Sequence, residues 1–142
     1  MSETIFSKII NGDIPCYKVY ENEHVLAFLD ITQVTKGHTL LIPKTPVSDV
    51  FAWSAEIGEQ LGRAIPIVAN AIQNAFPDMV GLNMVSNNKE GAYQTVFHSH
   101  LHLIPRYSEN DDFKLVMHSH QEQFTPQQMN DIAQAISKHI KE

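Results

Sequence analysis

The sequence predicts an α+β fold: an antiparallel five-stranded sheet with a short N-terminal helix, one long helix and a C-terminal helix. Three observations carry this. Short runs rich in β-branched and aromatic residues are punctuated by turn residues. Residues 54–76 repeat apolar side chains at helical spacing. A second helix-start signal stands at Thr125-Pro126-Gln127-Gln128. A few helices beside hairpin-capable strands form this class of layered structure. The length of 142 residues suits one domain, taken as 1–142.

Along the chain, Ile5 and Phe6 pair with Ile9 and Ile10 at i,i+4 spacing, a short helix stopped by Asn11-Gly12 and Pro15. Tyr17–Tyr20 and Val25–Leu29, joined across Glu21-Asn22-Glu23-His24, predict a hairpin. Thr39–Ile42 is a third strand between Gly37 and Pro43. The long helix opens at the N-cap candidate Ser54 and carries Ile57, Leu61, Ile65, Val68, Ile72 and Phe76 on one stripe; Pro66 inside it should kink it or loosen its ladder. Leu82–Val85 is a fourth strand, followed by the polar loop Asn87–Gly91. A fifth strand is expected at about 96–104. In the last helix Met129, Ile132, Ala133, Ile136 and Ile140 predict a buried stripe.

Composition narrows the function classes. Ten Lys plus Arg against sixteen Asp plus Glu, a net charge of -6, argue against nucleic-acid binding but leave room for one locally positive site on a small phosphate ligand. The single Cys16 excludes an internal disulfide and a Cys-rich zinc motif. The start, Met1–Lys8, lacks the basic and apolar regions of a secretory signal, and no apolar run reaches the ~18 residues of a membrane span. A cytoplasmic protein with no membrane contact is expected.

Eight His stand in the chain, three of them at 98, 100 and 102. Strand alternation would put His98, His100 and His102 on one face, roughly 6.6 Å apart, with Phe97, Ser99, Leu101 and Leu103 covering the core on the other. A solvated face gives no reason for imidazole. A metal site would take two of the three plus a ligand such as His38, Asp30, His118 or His120, because the outer pair is roughly 13 Å apart. Nucleophilic attack on phosphorus by the neutral central imidazole explains all three without metal geometry.

The segment His98-Ser99-His100-Leu101-His102-Leu103-Ile104 resembles the signature of the histidine triad (HIT) hydrolases and transferases. Thr4–Ile10 with Asp13-Ile14-Pro15, Val25–Ile31, Gly37–Lys44 and Gln94-Thr95-Val96 resemble further family segments, so the likeness covers nearly the whole chain. It implies a nucleotide-binding phosphohydrolase that cleaves at the α-phosphate of a nucleoside phosphoramidate or dinucleotide polyphosphate. His100 would be the nucleophile of a nucleotidyl-histidine intermediate, with His98 and His102 orienting it and contacting phosphate. Gln94 and Thr95 would meet the phosphate and leaving group, and Asn87 would be another active-site amide. Asp30 would bind the ribose hydroxyls, and Ile31, Ile5, Phe6 and Ile9 would surround a purine base. His38 matches a further histidine near the triad. The family also implies a homodimer whose sheets join, and no cofactor.

The chain departs from the family at three places: Ser99 stands in a usually hydrophobic slot, Tyr93 where many relatives have Gly, and Thr95 for a common Ser. Some bacterial relatives hold a structural zinc through two Cys and through His; the matching positions include Thr4, Ser7 and Pro46, so no metal is expected. Two rivals stay open at this level: a metal-dependent hydrolase, and a catalytically weak nucleotide-binding module. The pair His118 and His120 reads as surface.

Overall fold

The structure, a computed structural model, describes residues 3–142; Met1 and Ser2, part of the start read above, lie outside the described residues. The elements are α1 (Ile5–Ile10), β1 (Lys18–Glu21), β2 (Val25–Leu29), β3 (Thr39–Pro43), α2 (Ala55–Ala75), β4 (Gly81–Val85), β5 (Leu101–Arg106) and α3 (Pro126–Ser137), with three short 3-10 turns between them. The five strands form one sheet in the order β1-β2-β3-β5-β4, and every pairing is antiparallel. The predicted α+β class and sheet are what the chain adopts.

The sheet is covered on both faces, which explains the near-continuous apolar character of β2 and β3. Val25, Ala27 and Leu41 face α2 and pack with Ile57, Leu61, Ala64, Val68 and Ile72. Their alternate neighbours Leu26, Phe28, Leu40 and Ile42 pack with Phe6 of α1 on the opposite face. Ser54 caps α2 by accepting from the Ile57 amide at 3.2 Å. The helix is continuous across Pro66, which costs it one ladder donor rather than its course.

Three expectations need correction. First, β5 begins at Leu101, not near 96, and residues 96–100 form bends. The β3–β5 ladder runs Thr39–Leu103, Leu40–His102 and Leu41–Leu101. Continuing it would bring Pro43 opposite Ser99, where proline has no N–H to give. The Pro43 carbonyl is instead taken by the His98 ring at 2.7 Å, and the Ser99 amide donates to the Val47 carbonyl at 2.7 Å. Secondly, the two-faced pattern therefore holds only from Leu101 onward: Phe97 is 46% exposed whereas His98 is 0% exposed. Thirdly, the stripe of α3 is not buried. The Thr125 capping box closes as read, but every residue from Lys114 to Glu142 is exposed, Met129, Ile132 and Ile136 among them, and the helix ends at Ser137, before Ile140.

Candidate active site

The loop after β2 carries the first site residues. Asp30 Oδ1 accepts from the Thr32 amide at 2.8 Å and the Thr32 hydroxyl at 2.6 Å. Gln33 braces the loop, donating to the Asp30 and His38 carbonyls at 2.6 and 2.8 Å. Gly37 turns the chain into β3 with φ 93°, and a Cβ there would meet the Phe76 ring and Pro105 at 3.1–3.3 Å, so glycine is required both by the backbone and by the space. The turn delivers His38 behind the sheet's central strands.

The hydrogen bonds fix a tautomer for each buried imidazole. His98 Nε2–H donates to the Pro43 carbonyl. His100 Nδ1–H donates to the His98 carbonyl at 2.8 Å, which leaves His100 Nε2 with its lone pair. The Val34 amide points at His38 Nδ1 at 3.3 Å, so His38 carries its proton on Nε2 and gives it to His102 Nδ1 at 2.9 Å. His102 therefore presents Nε2–H. The rings of His100 and His102 lie 5.2 Å apart, and Phe6 stands edge-on to His100 at 5.0 Å.

Burial lowers the pKa of His38, His98 and His100 below the ordinary imidazole value. His102 is pushed down to about 4, by burial first and then by the neighbouring His100 and His38. For Asp30 burial opposes ionisation, but the Thr32 bonds and the His38 and His102 imidazoles outweigh it, and its pKa is lowered. The cluster at neutral pH is one carboxylate among neutral rings.

These groups open onto a cleft of about 300 Å³. Of the predicted residues, Ile5, Phe6, Ile9, Asp30, Ile31, Asn87, Thr95, His100 and His102 all line it. Phe28, Leu29, Leu40, Cys16, Tyr17, Pro15, Val96 and Tyr93 line it as well. Strand periodicity could have found Phe28 and Leu40: Phe28 shares a face with Asp30, and Leu40 pairs directly with His102. No Lys or Arg is among the lining residues, so the locally positive site allowed by the sequence is not formed by the described residues.

Thus the sheet's inner strands, a loop and α1 bring together a carboxylate, an imidazole with a free lone pair and an imidazole donor. The comparisons with known proteins concern this whole arrangement. A family model described as the HIT domain matches residues 11–109. The chain belongs to the HIT family. It is similar to Protein hit of Bacillus subtilis, 50% identical over 96% of this chain and 93% of that one. A crystal structure of a HIT family member from Bacillus subtilis superposes with a TM-score of 0.95 at 48% identity, covering 99% of both chains. An adenosine 5′-monophosphoramidase of Schizosaccharomyces pombe is 34% identical over 96% of this chain and 98% of its own length.

Within this HIT domain three predicted site residues lie behind the cleft. His98 is wholly buried beneath it, and His38 is hydrogen-bonded to the cleft-lining His102. Gln94, expected at the phosphate, is 2% exposed and fully engaged with backbone. Its Nε2 donates to the Ser48 and Val96 carbonyls at 2.6 and 3.0 Å, and its Oε1 accepts from the Lys89 amide at 2.7 Å. It clamps the loop that carries Asn87, Tyr93 and Thr95. That loop holds Lys89 at φ 77°, ψ 156° and Tyr93 at φ 71°, ψ 20°. Non-glycine residues in such regions cost on the order of 1–3 kcal/mol each. Ser99 satisfies its own hydroxyl by accepting from the Trp53 indole N–H at 2.9 Å, which explains a polar residue in a buried slot.

Two metal sites can be tested against the residues present. At the positions of the relatives' structural zinc, Thr4 and Ser7 spend their hydroxyls on each other's backbone, the Thr4 amide donating to Ser7 Oγ at 2.8 Å and the Ser7 amide to Thr4 Oγ1 at 3.2 Å. Pro46 has no donor atom, so the group does not fit. The second set is Asp30, His38 and His102, whose ligand atoms all lie within 4.8 Å of one another. Binding there would strip the proton from His38 Nε2 and force one onto Nδ1, against the Val34 N–H. A metal-bound imidazole wants an acceptor at its other nitrogen. The cluster is built as a hydrogen-bond relay.

Proposed function

We propose that the protein is a hydrolase of purine nucleoside 5′-phosphoramidates, with His100 as the nucleophile of a covalent nucleotidyl-histidine intermediate. One observation carries the reading: the His100 Nδ1 proton is committed to a backbone carbonyl, so the only ring nitrogen free to attack is Nε2, and burial keeps it unprotonated.

In this reading the base lies against Ile5, Phe6, Ile9 and Ile31, and Asp30 accepts from the ribose hydroxyls. His100 Nε2 attacks the α-phosphorus and the P–N bond breaks. The amine leaves with the bonding pair and one proton from a water that accepts from His102 Nε2–H, while His38 fixes the orientation of that ring. The hydroxide so formed attacks the same phosphorus, and the bonding pair returns to His100 Nε2. One water is consumed; one amine and one nucleoside monophosphate are released. The phosphate meets only neutral donors, His102, Asn87 and Thr95. A cleft without cations suits the single charge of a phosphoramidate better than the several charges of a dinucleotide polyphosphate.

The same reading places the enzyme in the cytoplasm as a homodimer of one HIT domain per chain. The exposed stripe of α3 and the free edge of β4 support a second copy. No helix among the described residues is long and apolar enough to cross a membrane.

The deciding experiment is turnover of adenosine 5′-phosphoramidate against diadenosine polyphosphates, with and without a chelator, followed by acid trapping of the labelled intermediate. Faster turnover of the phosphoramidate, unaffected by the chelator, and label on His100 are expected. Chelator-sensitive turnover without a covalent adduct would instead establish the metal-dependent rival.

A further inference from the structure

One segment outside the cleft holds both the nucleophile and the loop that carries Asn87 and Thr95. Residues 47–53 lie between β3 and α2, and none of them lines the cleft. On one side they take the loop. The Ser48 carbonyl accepts from Gln94 Nε2 at 2.6 Å, the Val50 amide donates to Asn88 Oδ1 at 2.8 Å, and Asp49 Oδ2 holds Lys89 Nζ at 3.2 Å. On the other side they take Ser99 twice. The Val47 carbonyl accepts from the Ser99 amide at 2.7 Å, and the Trp53 indole N–H donates to the Ser99 hydroxyl at 2.9 Å.

Ser99 matters because of the peptide unit it shares with His98. That unit is planar and trans, so its N–H and its C=O point in opposite directions. Anchoring the Ser99 N–H on Val47 aims the His98 carbonyl the other way, at His100 Nδ1, 2.8 Å distant. This is the carbonyl that sets the His100 tautomer. One hydrogen bond fixes a point of the plane and leaves rotation about that bond; a second bond, from the Ser99 side chain to the same segment, removes the rotation. Trp53 is a firm anchor for it. Its ring packs against the core beneath α2, its amide donates to the Val50 carbonyl at 3.2 Å, and its neighbour Ser54 caps α2. Packing accounts for the indole ring alone. The ring is half-buried, so water could satisfy its N–H. The N–H is spent instead on the residue between two buried histidines.

We propose that Trp53 and Ser99 are positioning residues for the nucleophile: their hydrogen bond locks the plane of the His98–Ser99 peptide, and through it the proton of His100 on Nδ1. This rests on the hydrolase reading above. Neither residue touches substrate. When the plane tilts, the His98 carbonyl releases the His100 Nδ1–H, the ring exchanges to its Nε2–H form, and the lone pair that faces the cleft is lost.

The test uses Trp53→Phe, which keeps an aromatic ring against the core and removes the donor, and Ser99→Ala, which removes the acceptor. Both single variants and the double variant are measured in two ways. Long-range 1H–15N spectra of histidine-labelled protein, with His100 identified by its absence in His100→Ala, report which ring nitrogen carries the proton. Steady-state kinetics on adenosine 5′-phosphoramidate report kcat and KM separately. The wild type should show the Nδ1–H form. Either single variant should show a rise in the Nε2–H form, an unchanged KM and a kcat lower by about ten- to a hundredfold, the range for a misplaced reacting group. The double variant should lose no more than the larger single loss, because both substitutions remove one bond. A wild-type tautomer in both single variants, a loss confined to KM, or losses that multiply in the double variant would each overturn the assignment. So would the absence of a melting transition in both single variants, which would make the bond a requirement of folding alone. A wild type that does not turn over the phosphoramidate would overturn the hydrolase reading, and the tautomer spectra would still decide the role of the pair.

Discussion

Helices α2 and α3 both repeat apolar residues at helical spacing behind a side-chain N-cap, yet Ile57, Leu61, Val68 and Ile72 of α2 are buried while Met129, Ile132 and Ile136 of α3 face solvent. The difference lies in what precedes them. Helix α2 follows β3 and must return to β4, so it crosses a sheet face that is waiting to be covered. Helix α3 comes after the irregular segment 107–125, when one face already carries α2 and the other carries α1 and the cleft. An apolar stripe thus does not by itself place a helix against its own chain. The catalytic region and α3 should accordingly respond to different measurements.

The largest effect belongs to the catalytic region. His100→Ala should lower turnover by at least about a thousandfold, as loss of a nucleophile does, while nucleoside monophosphate binding by calorimetry and the association state stay as in the wild type. Substantial residual turnover, with His98→Ala or His102→Ala inactive, would move the nucleophile elsewhere.

Next comes the contrast between the two stripes. Leu103→Ala removes a side chain buried between β5 and α2 and should cost about 2–5 kcal/mol in denaturant unfolding. Ile136→Asp, at a residue 63% exposed, should leave the secondary structure intact and shift sedimentation toward the monomer. An unfolded Ile136→Asp protein would show that α3 packs within its own chain.

Asp30→Asn should weaken ribonucleotide binding about tenfold and erase discrimination against 2′-deoxy substrates, because an amide presents one acceptor where the carboxylate presents two. Unchanged ribose selectivity would remove Asp30 from the site.

The smallest effect is in pH. His100 must be neutral to attack, and burial lowers its pKa, so kcat/KM should hold through neutrality and fall only below the ordinary histidine value near 6.5. Its midpoint belongs to the coupled cluster of rings. Stability follows the same sign. Between about 6.5 and the lowered folded values, the unfolded chain binds protons at these histidines and the folded chain does not. Stability is fully present above that window and is lost as the pH falls through it. A rate that climbs steadily through the imidazole range as pH drops would contradict a neutral nucleophile.

Much of this was written locally. Ser54 and Thr125 announced their helices because a cap acts within four residues. The strand runs of β2 and β3 were legible because burial on both faces leaves little but apolar residues. Histidine at 98, 100 and 102 pointed to phosphorus chemistry, and nine of the twelve predicted site residues do line one cleft. What misled was applying strand periodicity upstream of Leu101, where the ladder ends for want of a proline N–H.

The sequence by itself determined the fold class, most of the elements, the caps at Ser54 and Thr125 and most of the residues that meet at the cleft, since these follow from spacing and side-chain type. Only the tertiary structure decided their roles. Gln94 became a clamp because two carbonyls, from Ser48 and Val96, happened to lie within reach of its amide. His100 acquired its tautomer from the carbonyl of His98, and His102 acquired its own from a histidine 64 residues away. The α3 stripe was left bare because both sheet faces were already taken. Each outcome depends on which groups compete for the same acceptor or the same surface, and that competition is settled by distances in space that spacing along the chain does not encode.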